Sequence, residues 1–117
     1  MKPGDVILVA FPSTDLTRGK LRPALVLAEM PGRHKDVLLA MISSKTHQFI
    51  VGFDELIKTS DSDFSSSGLK TTSVIRLSRL ATVEKRIIVA KLGEIDERRL
   101  IILYNRLIAL LESLKQG

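Results

Sequence analysis

The chain changes its hydrophobic period once. Up to residue 95 the apolar residues come in short runs, none longer than six, broken by Pro, Gly, Ser and Asp. From Asp96 to the end they recur at helical spacing. Short β-branched runs between breakers read as strands, and a sustained spacing of three and four reads as a helix. Several strands followed by one C-terminal helix is therefore the frame into which every other feature must fit.

Residues 5–11, DVILVAF, are short and apolar enough for a strand buried on both faces. PSTDLTRGKL interrupts it for ten residues, longer than a tight hairpin needs. RPALVLAEM reads as the second strand, with Pro23 at its start, where a missing N–H costs little. PGRHK is a turn around the breaker pair Pro31-Gly32, and DVLLAMIS is the third strand, followed by the loop SKTHQ. FIVGFDELI, residues 49–57, is expected to be a fourth strand with Gly52 marking a bulge. Residues 58–72 are polar and serine-rich, which inside a compact domain points to a mobile or functional segment. SVIRLSRLATV alternates, Val74, Arg76 and Ser78 on one side against Ile75, Leu77 and Arg79 on the other. That is a half-exposed strand with Arg76 on its open face. EKRIIVAKLGEI supplies one more short strand, or a strand and a turn.

The C-terminal segment places Leu100, Leu103, Tyr104, Leu107, Leu110, Leu111 and Leu114 at helical spacing. Asp96 is the expected N-cap, Glu97 favours the first turn, and Lys115 and Gly117 close the helix. Ile101, Ile102 and Ile108 widen the stripe beyond one core face, which calls for a second packing partner, either the sheet or another subunit. Five to seven short, mostly antiparallel strands capped by one helix make a small half-open barrel or strongly bent sheet.

At 117 residues, without linkers or internal repeats, residues 1–117 are read as one domain. There are no cysteines, which excludes disulfides and thiolate metal sites, and only two histidines, His34 and His47. No metal site or cofactor motif is present in the sequence, and no apolar run approaches the ~20 residues of a membrane span. The N-terminus lacks the small-residue cleavage site of a signal peptide, so a cytoplasmic protein is expected. A net charge of +5 points to an anionic partner, most often nucleic acid.

The stretch RGKLRPALVLA puts Arg18, Lys20 and Arg22 just before a buried strand. Pro23 restricts Arg22 to extended backbone, which gives its side chain a defined exit direction. The planar guanidinium fork matches two phosphoryl oxygens, although a solvated loop arginine would have the same sequence. Ser43 and Ser44 end the third strand, where a hydroxyl either meets a ligand or caps the next turn.

Four segments, taken in order and spacing, resemble one family. GDVILVAFPSTD, RPALVL, AMISS and GLKTTSVIRLSRLATVEK are similar to the MazF/PemK-type toxins of bacterial and archaeal toxin–antitoxin modules, and the likeness runs along nearly the whole chain. It implies an SH3-like barrel of the type shared with CcdB, mainly β with a C-terminal helix, working as a homodimer. It also implies a metal-independent endoribonuclease that cuts single-stranded mRNA and is held inactive by a cognate antitoxin lying along the RNA groove. By the resemblance Arg22 falls on the catalytic arginine before proline, Ser43 falls where the family usually carries threonine, and Arg76 matches a second active-site arginine of some members. Two positions on, those members have an aspartate where this chain has Ser78, so a proton-transfer role there does not carry over. Asp15 is the replacement expected from the first loop, as base or as a partner for Arg22, with His47 and His34 weaker candidates. Arg18, Lys20, Ser44, Lys45, Lys70 and Arg79 are expected to track the RNA backbone. With few aromatics, base choice is expected from loop hydrogen bonds to unstacked bases.

Two other readings fit the same fold. One is a non-catalytic CcdB-like inhibitor of DNA gyrase, whose key residues would be expected at the end of the C-terminal helix; here that end is ESLKQG, with no aromatic anchor. The other is a catalytically impaired RNA-binding barrel, to which Ser43 and Ser78 are the only pointers.

Overall fold

The computed structural model describes residues 1–11 and 20–117. Six strands, β1 (Asp5–Ala10), β2 (Leu21–Glu29), β3 (Val37–Ser43), β4 (Glu55–Ile57), β5 (Ser73–Val83) and β6 (Ile88–Glu94), form one sheet in the order β4-β5-β3-β2-β1-β6. Every neighbouring pair is antiparallel. The sheet is not closed: β4 and β6 are its two edges. A short helix α1 (Phe64–Ser67) precedes β5, and the long helix α2 (Glu97–Gln116) ends the chain. The mainly-β chain with a C-terminal helix is thus as the sequence led one to expect.

The inner strands are apolar runs because both faces of the sheet are buried. Successive residues go alternately into two clusters. Val6, Leu25, Leu27, Ala40 and Ile42 join Leu103 of α2 on one face. Ile7, Val9, Ala24, Val26, Val37 and Leu39 form the other, together with Val83 at the end of β5 and with Ile87 and Ile88 where β6 begins. The passage between these two strands carries the chain from β5, beside one edge of the sheet, to β6 at the other edge. β5 carries a bulge: Ala40 pairs with Leu80 but Met41 pairs with Arg76, leaving residues 77–79 as the excess.

Three local expectations change. The fourth strand is only Glu55–Ile57, because residues 50–54 close a turn in which the N–H groups of Phe53 and Asp54 donate to the Ile50 carbonyl, at 3.2 and 2.9 Å. Gly52, with φ +81°, is a turn glycine and not a bulge. The true bulge, on β5, breaks the alternation read from the sequence and brings Arg79 to the same cavity as Arg76. The serine-rich segment is built into the fold. Gly68 and Gly93 allow α1 and β6 to meet backbone to backbone, and a Cβ on Gly93 would lie 2.1 Å from the Ser66 carbonyl oxygen. The Ser66 hydroxyl donates to the Glu94 carbonyl at 3.1 Å across the same seam.

Helix α2 starts where expected: the Asp96 carboxylate accepts from the Arg99 N–H at 2.8 Å. Leu103 is buried, Leu100, Tyr104 and Leu107 pack against the first cluster, and the Tyr104 hydroxyl donates to the Leu27 carbonyl. Beyond Leu107 the sheet ends. Leu111 and Leu114 are 61% and 69% exposed, and Ile101, Ile102 and Ile108 also face outward. The sheet therefore accounts for the first half of the stripe only.

Arg99 ties this helix to the β4 edge. Its Nε and Nη2 bond both oxygens of the buried Asp63 (2.8 and 2.9 Å), Nη2 also reaches Asp61 (3.0 Å), and Nη1 reaches Glu55 and the Leu56 carbonyl (3.0 and 2.8 Å). All five N–H groups of the guanidinium are used. Burial acts to lower the Arg99 pKa, but Asp63, Asp61 and Glu55 outweigh it and raise it. Burial likewise acts to raise the Asp63 pKa, and bonds from Arg99 and the Asp96 N–H reverse this, leaving it lowered. Asp61 is lowered by the Lys58 N–H first and by Arg99 after it.

Arg99→Ala leaves these carboxylates without their cation, and a loss of about 3–5 kcal/mol is expected in urea unfolding. Because Asp61 and Asp63 have folded pKa values below the unfolded value of about 3.9, their contribution is complete above that pH and disappears as pH falls through the folded values. Wild-type stability should therefore drop steeply below about pH 4, and more steeply than that of the Arg99→Ala variant. Gly93→Ala should cost on the order of 3 kcal/mol by forcing α1 off β6, read by thermal unfolding.

Candidate active site

The sheet register assembles the site. Met41 on β3 lies between Ala24 of β2 and Arg76 of β5. Two residues on, Ser43 pairs with Val74, and continuing the β2–β3 register brings Arg22 level with it. Arg22, Met41, Ser43 and Arg76 consequently share one face, at the end of the sheet where the second cluster gives way to solvent. Pro23 stands opposite Leu8 in the β1–β2 ladder, next to the Val9–Arg22 pair, so the arginine leaves the sheet at a fixed register.

A cavity of about 420 Å³ opens on this face, lined by Arg22, Ser43, Lys45, Gln48, Arg76 and Arg79 over an apolar base that includes Phe11 and Met41. A second hollow of about 450 Å³ lies on the other side of Arg22 and Ser43. There Ser44, Lys70 and Thr71 accompany mostly apolar walls from Leu21, Pro23, Leu69 and Leu92. Arg22, Ser43 and Lys45 border both. They form a ridge with a cationic hollow on one side and an apolar hollow on the other. Among the described residues the first cavity is lined by four cations and no carboxylate or imidazole.

The candidates read from the sequence divide as follows. Arg22, Ser43, Lys45, Arg76 and Arg79 meet at the first cavity, and Ser44 and Lys70 line the second. Lys20 is exposed beside Leu21 and borders neither hollow. Asp15 and Arg18 lie outside the described residues. His47 is exposed and borders neither hollow, and His34 belongs to the distant 30–36 turn.

Ser43 fills the structural role its position allowed. Its Oγ accepts the Lys45 N–H at 3.1 Å, which starts the turn holding residues 45–48. The hydroxyl proton is left to donate elsewhere. Ser78, by contrast, is turned away from the cavity. Its hydroxyl and N–H bond the carboxylate of Asp54 at 3.0–3.1 Å, and Asp54 is 1% exposed. The carboxylate near residue 78 is spent on bracing the 50–54 turn. Among the described residues Arg76 has one hydrogen-bond partner, Gln48, whose Oε1 accepts from Nη1 at 3.3 Å. Its Nε is buried with no partner among the described residues. Gln48 was not legible in the sequence, since nothing local marks it as a neighbour of a residue 28 positions away.

The sequence model for the PemK-like, MazF-like toxin of type II toxin–antitoxin systems matches residues 2–111. The chain belongs to this toxin family. A search of curated proteins found no match. The open six-stranded sheet with its C-terminal helix is consistent with the PemK/MazF fold. Membership in a type II system implies an antitoxin partner for this PemK-like toxin.

The Ser43 geometry is testable without any activity. In Ser43→Ala the Lys45 amide loses its acceptor, and its hydrogen exchange should accelerate about fivefold, matching about 1 kcal/mol for one hydrogen bond. Ser43→Thr, which keeps the oxygen, should leave that amide protected.

Proposed function

We propose that this toxin is an endoribonuclease that cleaves single-stranded RNA, mRNA in the cell, by attack of the substrate's own 2′-OH. The observation that carries the reading is the convergence of Arg22, Arg76 and Ser43 on a cavity lined by cations. In this reaction the 2′-oxygen bonds to phosphorus as the bond to the 5′-oxygen breaks. The products are a 2′,3′-cyclic phosphate and a 5′-OH. One proton leaves the 2′-OH and one reaches the departing 5′-oxygen.

Arg22, on the ridge, is assigned to the phosphoryl oxygens, where a fork of N–H groups stabilises charge that grows in the phosphorane. Arg76 clamps the same phosphate from the cationic hollow, and the Ser43 hydroxyl donates to it. Guanidinium is a poor base, because it keeps its proton at any working pH. Asp15 is assigned as the base by its place in the first loop. The two hollows take the nucleotides on either side of the scissile bond, with Lys45, Lys70 and Arg79 on the backbone. The antitoxin is an acidic, partly disordered segment that covers the same ridge. The exposed second half of α2 pairs with its own copy in a homodimer.

Cleavage of a long unstructured RNA in EDTA, with product ends identified, tests this. Wild type is expected to leave cyclic phosphate and 5′-OH ends, and Arg22→Ala to be slower by about 10²–10³-fold. Intact RNA with folded wild type would overturn the reading in favour of non-catalytic binding; cleavage lost in EDTA would overturn its metal independence.

A further inference from the structure

We propose that Gln48 is the positioning residue for Arg76, a neutral clamp that aims the guanidinium without spending its charge. The inference rests on the endoribonuclease reading for its meaning and on the free protein's geometry for its evidence.

Arg76 and Arg99 are the two half-buried arginines whose surroundings differ most. Arg99 is saturated by carboxylates and helps hold α2 to the β4 edge. Arg76 meets no carboxylate among the described residues. Its bond is to an amide oxygen, while its buried Nε has no partner there. A carboxylate at position 48 would hold the same nitrogen more strongly, yet it would also compete with a phosphate for the guanidinium. An amide fixes one nitrogen and leaves the full positive charge to the cavity. Without such a hold, an arginine samples many rotamers that its ligand must later restrict.

Gln48 is itself held by the site. Its N–H donates to the Lys45 carbonyl at 3.0 Å, and the Lys45 N–H donates to Ser43 Oγ at 3.1 Å. Ser43, Lys45, Gln48 and Arg76 thus form one connected chain around the cavity. With its oxygen on Arg76, the Gln48 amide retains two N–H donors on the cavity wall.

Two measurements separate this inference from the reading beneath it. Nitrogen-15 relaxation of the Arg76 Nε–H in the free protein should show an ordered group in wild type and Gln48→Glu, and a mobile one in Gln48→Ala. In RNA cleavage, Gln48→Ala should lower kcat/KM about tenfold, with no further loss when added to Arg76→Ala. Gln48→Glu should lower it at least as far although the side chain stays ordered, because the carboxylate neutralises the cation. An Arg76 group equally ordered in wild type and Gln48→Ala overturns the inference, as does a full further tenfold loss in the Arg76→Ala background or a wild-type rate for Gln48→Glu. A wild type that leaves RNA intact overturns the endoribonuclease reading instead, and the relaxation data then decide the positioning role alone.

Discussion

The sheet's two-sided burial is the constraint on which the rest depends. Strands β1, β2 and β3 send alternate residues into two separate clusters, so neither face is free to carry polar chemistry along its length. In these three strands the polar side chains are confined to the ends. The site forms where this burial stops, at Arg22 near the start of β2 and Ser43 at the end of β3. Antiparallel pairing makes the beginning of one strand the neighbour of the end of the next, and that is why residues 21 positions apart share a ridge.

The two edges are secured differently. On the β6 side two glycines let α1 and β6 touch backbone to backbone, and the serine-rich segment becomes a wall of the second hollow. On the β4 side Arg99 gathers three carboxylates and a carbonyl, joining helix to edge strand. Burying that many charges is favourable only because every donor of the guanidinium is matched. The same residue type has opposite uses in the two places. Arg99 is a structural cation because carboxylates surround it. Arg76 faces the cavity with a neutral amide as its one partner among the described residues.

Much of this was legible beforehand. The strand runs, the Asp96 cap and the start of the helix followed from periodicity and capping chemistry, which act over a few residues. The misread elements involve a choice between local patterns of similar appearance. FIVGFDELI has strand composition, but Asp54 can satisfy the Ile50 N–H through its side chain, and this favours a turn. The β5 alternation is regular in sequence, and only pairing with β3 reveals the three-residue excess that redirects Arg79.

The sequence by itself determined the order of elements, the family, and the residue types able to meet a phosphate, because these depend on short-range pattern and on motifs kept in order. Tertiary structure alone decided which of those residues lie together. Arg22, Ser43 and Arg76 meet through register, and Ser78 leaves the group because Asp54, 24 positions away, is the stronger partner for its hydroxyl and N–H. Gln48 enters because the turn begun by Ser43 delivers it to Arg76. Side-chain partners at that separation are selected by strand pairing and burial, and no local propensity encodes them.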